Sequence, residues 1–403
     1  MPPAVWSRSP SPAANSSASK IRQGTAPLPG GAVFLYKIAV MTSFYLRPLG
    51  LSAEGEAAPL APSLSRSLAG GPLWFSNAEA ILRDPGAEAR RRSLPVEEAL
   101  AWAEEALGAA PVAALSEALT RPRPDFAGLT LDRARIMGVV NVTPDSFSDG
   151  GDRFDTGLAV AAGLELQEAG ADILDIGGES TRPGADPVAP AEERRRVIPV
   201  IRELARQGAL VSVDTRHAAT MAEALAAGAA IVNDVTALSG DPESLGVVAE
   251  AGCALVLMHM QGAPETMQTA PRYEEVVLDI YDYLAARLEA CLVAGISPDR
   301  VAVDPGIGFG KTIDHNLQIL DQLALYHGLG CPLLLGVSRK SFIGRLSTGE
   351  APKDRLPGSL AAALAGLARG AQILRVHDVA ETRQAIRIWE AIASQRQRPL
   401  AAE

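Results

Sequence analysis

A small set of polar residues has the types and placing that two kinds of ligand chemistry require. Asp214, Asn233, Asp304 and Lys340 offer two carboxylates, an amide and a compact ammonium, each at or just after the end of a short apolar run. Such groups suit the amino-pyrimidinone edge of a flat heterocycle, where ring N–H donors and a carbonyl acceptor lie side by side. Arg182, Arg339, Arg375 and His377 form a second group, rich in donors for oxyanions such as a diphosphate or a carboxylate. Lysine is scarce, occurring only at Lys20, Lys37, Lys311, Lys340 and Lys353, which makes a lysine directly after a buried run informative. The stretch DPGIGFGKT invites a nucleotide reading that fails on spacing. A Walker A loop needs glycine where Pro305 stands, and a GxGxxG starting at Gly306 meets Lys311 in place of its last glycine. A tight loop that brings the backbone and Phe309 close to a flat ligand fits better.

These residues need elements that converge. From Ile136 onward, β-branched or apolar runs alternate with Ala- and Leu-rich helical patterns: IMGVVNV, DILDIG, LVSVD, AIVNDV, ALVLMHM, VAVDP, PLLLGVS and QILRVHD are the strands. Strand then helix, repeated about eight times over roughly 260 residues, is the pattern of a (β/α)8 TIM barrel in the α/β class. A doubly wound open sheet is the alternative. In such barrels the active site forms at the C-terminal ends of the strands. The polar residues there are Asn141, residues 179–182, Asp214, Asn233 with Asp234, His259, Asp304, residues 338–340, and Arg375, His377 and Asp378. Any one Asp or Asn in such a place is equally well a cap or turn former. So many strand ends sharing that explanation is a poor account. Just upstream, DFAGLTLD reads as a small hairpin that closes the barrel's other mouth.

Composition narrows the partners. With 403 residues and 47% hydrophobic content, the chain can fill one large core and leave a remainder outside it. Its net charge of -10 repels polyanions, so no nucleic-acid partner is expected. Cys253, Cys291 and Cys331 have no metal-ligand or CxxC spacing, which fits a reducing compartment. No apolar run approaches the roughly 20 residues that span a bilayer, and residues 31–41 are interrupted by Lys37. A cytoplasmic protein without a membrane partner is expected. Residues 1–40 are Ser-, Pro-, Ala- and Gly-rich and read as disordered. Their lack of acidic residues gives two readings, a start assigned too early with Met41 as the first residue, or an organellar transit peptide. Residues 41–125 form an N-terminal extension expected to be partly helical, with Pro95 and Val96 opening VEEALAWAEEALGAA, and no chemistry is assigned to it.

Taken together, IMGVVNVTPDSFSDGG, GADILDIGGESTRPGA, VSVDT, IVNDV, MHMQGAPETMQ, DPGIGFGKT, GVSRKSFIG and RVHDV resemble the dihydropteroate synthases of the pterin-binding family, in order and at similar spacing. The resemblance covers residues 126–398, the barrel. It implies an enzyme that condenses 6-hydroxymethyl-7,8-dihydropterin diphosphate with 4-aminobenzoate. It further implies that Asp214, Asn233, Met258, Asp304 and Lys340 hold the pterin, and that Asn141, Arg182, Arg375 and His377 hold the diphosphate. Phe147, Thr181, Arg182, Pro183, Phe309, Ser338 and Arg339 are implied around 4-aminobenzoate. Mg2+ is the implied cofactor, held by Asn141 and joined by Asp149. Asp214, Asp304, Lys340, Arg375 and His377 are the implied catalytic residues, and the assembly implied is a homodimer. The rivals are a pterin-binding methyltransferase module, which has no need of SRKSFIG with RVHDV, and a non-catalytic pterin-binding protein of the folate pathway.

Overall fold

The computed structural model describes residues 42–53, 65–143, 155–179, 188–263 and 266–395. Phe147, Asp149, Thr181, Arg182 and Pro183 therefore lie outside the described residues.

Eight parallel strands form the barrel: β7 (Arg135–Asn141), β8 (Ile173–Gly177), β9 (Val211–Asp214), β10 (Ile231–Asp234), β11 (Ala254–Met258), β12 (Val301–Asp304), β13 (Leu334–Leu335) and β14 (Ile373–Val376). They lie in the order β12-β11-β10-β9-β8-β7-β14-β13. A parallel bridge between Val303 and Leu333 joins the two ends, so the expected barrel is the fold found. Strands covered on both faces read as continuous apolar runs, and all five residues of β8 and of β11 are buried. Around them run α3 (Thr156–Glu168), α4 (Pro190–Arg206), α5 (Ala218–Ala226), α6 (Ser244–Ala251), α7 (Val276–Val293), α8 (Ile313–Asp321), α9 (Ser341–Leu346), α10 (Leu356–Leu367) and α11 (Val379–Gln395). Among the described residues, no helix is long and apolar enough to cross a membrane.

The hairpin before β7 does close the lower mouth. Phe126 and Leu129 exchange backbone hydrogen bonds of 2.9 Å, and the Phe126 ring, with 0% exposure, packs on Met137, Ile173, Ile231, Val256, Ala302, Leu334 and Ile373. These side chains come from seven of the eight strands, most of them from the N-terminal half, which makes the ring a plug. Phe126→Ala is expected to lower unfolding free energy by about 3–5 kcal/mol in urea titration while leaving ligand affinity unchanged, because the site lies at the other end.

The extension is more ordered than its composition suggests. Its helical part is α1 (Val96–Leu107) and α2 (Ala109–Thr120). Val96, Ala99, Leu100 and Ala103 of α1 are buried at helical spacing, Glu97 and Glu98 complement the dipole at its start, and Gly108 at φ +81° separates the two helices. Six short strands were not expected: β1 (Ser43–Leu49), β2 (Ser52–Ala53), β3 (Arg66–Ser67), β4 (Leu73–Phe75), β5 (Asn77–Arg83) and β6 (Arg90–Pro95), in sheets ordered β1-β5-β6 and β2-β4-β3. Leu46, Phe75, Ala78, Ala80, Leu100, Leu115 and Leu119 form a core between the extension's strands and helices that also takes in Ala324 of the barrel.

Candidate active site

At the C-terminal mouth, strand register fixes which groups face one another. Asp214 on β9 is in register with Gly177 on one side and with Asn233 on the other. Arg375 on β14 reaches across them: its Nε donates to Asp175 Oδ2 at 2.6 Å and its Nη2 to Asp214 Oδ2 at 2.6 Å. Asn233 Nδ2 donates to the same Asp175 oxygen at 3.0 Å. The two residue groups read from the sequence are thus joined in one network, with Asp175 at its centre. Asp175 was not among the expected site residues. It sits inside the apolar run ILDIG with 0% exposure, and its Oδ1 has no hydrogen-bond partner.

The electrostatics follow from burial. Burial pushes Asp214 up from the ordinary carboxylate range, Arg375 opposes this, and the Asp175 carboxylate adds to the rise. A hydrogen-bonded ion pair at 2.6 Å and a raised carboxyl are compatible because one guanidinium faces two carboxylates. Asp304 at the end of β12 is also raised by burial, with the Gly306 amide, which donates to Oδ1 at 2.7 Å, and Lys340 working against it.

The loop after β12 is pinned along its backbone. Gly308 N donates to Asn316 Oδ1 at 2.7 Å, Gln268 Nε2 to Gly308 O at 2.6 Å, and Tyr273 Oη to Gly310 O at 2.7 Å. Gly306, at φ +70°, has no substitute, since a Cβ there would stand 2.0 Å from His259 O. The loop sets the Phe309 ring beneath Lys340, whose Nζ lies 4.0 Å from the ring centroid. Phe309 packs with Val235, Met258 and Met267, so the expected pterin residue Met258 belongs to an apolar wall here. Lys311 is a further buried group on this loop. It is 3% exposed and donates to His259 Nδ1 at 3.0 Å, His259 O at 3.3 Å and Phe309 O at 2.9 Å. Burial and Lys311 push His259 down to about 2, so this strand-end histidine is neutral and ties two loops together.

On the far side, the Ser338 hydroxyl accepts from His377 N at 3.2 Å and lies 3.1 Å from His377 Nδ1. Arg339 has a left-handed backbone at φ +59°, held by Arg339 N donating to Ser359 Oγ at 2.9 Å and Arg355 Nη1 donating to Arg339 O at 2.9 Å. Its guanidinium closes in a fork on Asp378. This gives Arg339 a part in holding the loop that carries Ser338 and Lys340. Asp234 is a turn former, accepting from Thr236 N at 2.7 Å and Leu238 N at 2.8 Å. Asn141, half-buried, ends β7 at the same mouth.

The sequence matches the pterin binding enzymes over residues 137–377. The chain belongs to the dihydropteroate synthase family of pterin-binding enzymes. The Neisseria meningitidis serogroup B dihydropteroate synthase is 52% identical over 270 residues, covering 65% of this chain and 94% of that protein. The Escherichia coli K12 dihydropteroate synthase is 46% identical, over 66% of this chain and 94% of that one. A structure of the Xanthomonas albilineans dihydropteroate synthase with 4-aminobenzoic acid is 51% identical, with a TM-score of 0.63, and covers 67% of this chain and 98% of that one. The family match begins after the extension, so the shared part is the barrel and its mouth.

Proposed function

We propose that residues 126–398 catalyse dihydropteroate synthesis: the amine of 4-aminobenzoate attacks the methylene carbon of a 7,8-dihydropterin diphosphate, giving 7,8-dihydropteroate and diphosphate. The observation that carries this reading is the network of Asp214, Asn233, Asp175 and Arg375 at the barrel mouth, with Asp304 and Lys340 at its rim. Asp214, Asn233 and Asp304 take the pterin's N–H donors, and Lys340 donates to its ring acceptors while Phe309 and Met258 cover its face. Arg375 uses Nε and Nη2 on the two carboxylates, which leaves Nη1 for the leaving diphosphate, with His377 as the second group assigned to it.

As the carbon–oxygen bond lengthens, positive charge on the methylene carbon spreads into a ring held by two buried carboxylates, and the departing oxygens gather negative charge by Arg375 and His377. The carbon–nitrogen bond forms, the carbon–oxygen bond breaks, and the amine proton leaves to diphosphate or water. No side-chain nucleophile takes part.

Mg2+ suits the donor set. The described residues hold no cluster of three His, Cys, Asp or Glu, while Asn141 offers a hard amide oxygen of the kind a cation takes when waters and phosphate oxygens fill its other positions. Asp149 would join Asn141. When bound, the cation neutralises charge on the diphosphate. Thr181, Pro183, Phe147, Phe309 and Ser338 are assigned to 4-aminobenzoate, with Arg182 shared between it and the diphosphate. A homodimer belongs to the same reading, supported by Ile388 and Ile392, one turn apart on α11 and 60% and 58% exposed.

The test is diphosphate release by the purified full chain. Release is expected only when both substrates are present, to fall sharply when EDTA removes Mg2+, and to be competed by a sulfonamide against 4-aminobenzoate. Binding of the pterin without release under any of these conditions would favour the non-catalytic rival.

A further inference from the structure

Residues 259–263 and 266–275, between β11 and α7, form one wall of the site assigned to the pterin. This wall buries Met267, 3% exposed, against Met258 and Phe309, and through Gln268 and Tyr273 it holds the carbonyls of Gly308 and Gly310. Gln261 ties its two ends, donating to Arg272 O at 2.8 Å and accepting from Arg272 N at 3.0 Å. The segment ends at Glu274 and Glu275, where α7 begins, and Asp279 and Asp282 follow within the first two turns. A helix start tolerates such carboxylates, but four so close together repel one another.

The cations that answer them come from the extension. Arg83 of β5 donates through Nη1 to Asp279 Oδ1 at 2.7 Å and through Nη2 to Glu274 Oε2 at 3.1 Å. Asp279 in turn accepts from Glu274 N at 2.9 Å and Glu275 N at 3.2 Å, so Arg83 orients the group that holds the backbone entering α7. Arg91 of β6 pairs with Glu275, and the buried Tyr45 of β1 donates to both Asp282 oxygens at 2.9 Å and 3.0 Å. These bonds fall on the last two residues of the wall segment and on the first two turns of α7. From Arg83 the contacts run through Asp279 and the backbone of Glu274 to Tyr273, and from there to the loop that carries Phe309.

We propose that the N-terminal sheet is a brace for the pterin site, in which Arg83 is a positioning residue that fixes the start of α7 and so holds Tyr273, Gln268 and Met267 in place. The extension then has a part in catalysis without supplying a group that touches substrate. This inference rests on the assignment of the pterin to the barrel mouth.

The test is a double-mutant cycle on the full chain, with Arg83→Ala and Tyr273→Phe, read as the Kd for 6-hydroxymethylpterin by calorimetry alongside the melting temperature. Each single variant should weaken binding about five-fold, within the roughly 2- to 30-fold range that remote coupling gives. The double variant should be no weaker than the worse single one, since both remove the same link. Arg83→Lys should recover part of the affinity, and it serves as the reading variant if Arg83→Ala fails to fold. A lowered melting temperature with unchanged Kd, or fold-changes that multiply in the double variant, would overturn the brace. Failure of the unsubstituted chain to bind the pterin would instead refute the site assignment on which the brace depends.

Discussion

Replacing Arg375 by methionine is expected to remove turnover and, with it, a large part of the folding stability. The side chain stands between Asp175, which is fully buried, and Asp214, with 2.6 Å bonds to each. Methionine fills much of the same volume but leaves two neighbouring carboxylates without their cation. Breaking a buried pair in this way costs about 3–5 kcal/mol, because an uncompensated charge stays behind. Loss of the donor facing the diphosphate should lower kcat/KM by roughly 10²–10³-fold. The two effects separate in a second background: Asp175→Asn with Arg375→Met should recover much of the stability and none of the turnover. Acidity gives a further check with a definite sign. Carboxyls whose folded pKa is raised favour the folded state at low pH and lose that contribution as pH rises through the raised value. The stability deficit of Arg375→Met should therefore be largest above about pH 7, the value to which Asp214 is raised, and shrink as pH falls through it, because protonation removes the unpaired charge. Urea titrations at several pH values measure it. A single variant as stable as the parent above pH 7 would show that the network does not hold the mouth together.

That prediction depends on a residue the sequence did not reveal, and the reason is instructive. All eight barrel strands were legible because each is a short, largely apolar run with a polar residue at or shortly after its end, and these positions delivered Asp214, Asn233, Asp304, Arg375 and His377 to the site region. Asp175 lies inside such a run, where a carboxylate reads as an interruption. Only closure of the barrel brings Arg375, 200 positions further on, within 2.6 Å of it. The signal was nonetheless present, since an Asp inside ILDIG has to find a buried partner or be neutral. The burial of Lys311 was hidden for the opposite reason. This lysine stands in a glycine-rich stretch with no apolar period, and its burial depends on the carbonyls of His259 and Phe309, which come together only through packing. In the extension, α1 was readable from its period, whereas β1, β5 and β6 were not. SFYLRPL, NAEAILR and RRRSLP are short, carry Pro or several charges, and become strands by pairing with one another and by seating arginines against α7.

The other large effect is expected at Asp304. An asparagine there keeps the shape and can still accept from Gly306 N, the 2.7 Å bond that shapes the loop after β12, so the fold should survive. What it loses is the ionised oxygen assigned to the pterin N–H groups. Hydrogen bonds to a charged partner contribute about 1.5–3 kcal/mol each, so pterin affinity should fall by roughly 10- to 150-fold. With 4-aminobenzoate saturating, kcat/KM for the pterin diphosphate should fall at least as far, since the same carboxylate faces charge that grows on the ring during the reaction. The pH dependence distinguishes loss of charge from loss of shape. Burial raises the Asp304 pKa above the ordinary carboxylate range, with Lys340 and Lys311 restraining the rise. The unsubstituted chain should therefore bind the pterin more weakly as pH falls through that raised value, because the ionised form is the acceptor. Asp304→Asn cannot titrate, so its profile should keep only the limb that Asp214, the other raised carboxyl assigned to the pterin, contributes. Calorimetry between about pH 5 and pH 8 reads both quantities at once. If Asp304→Asn binds the pterin as tightly as the parent at neutral pH, the ring is held by other groups and the assignment of β12 to the pterin edge is wrong.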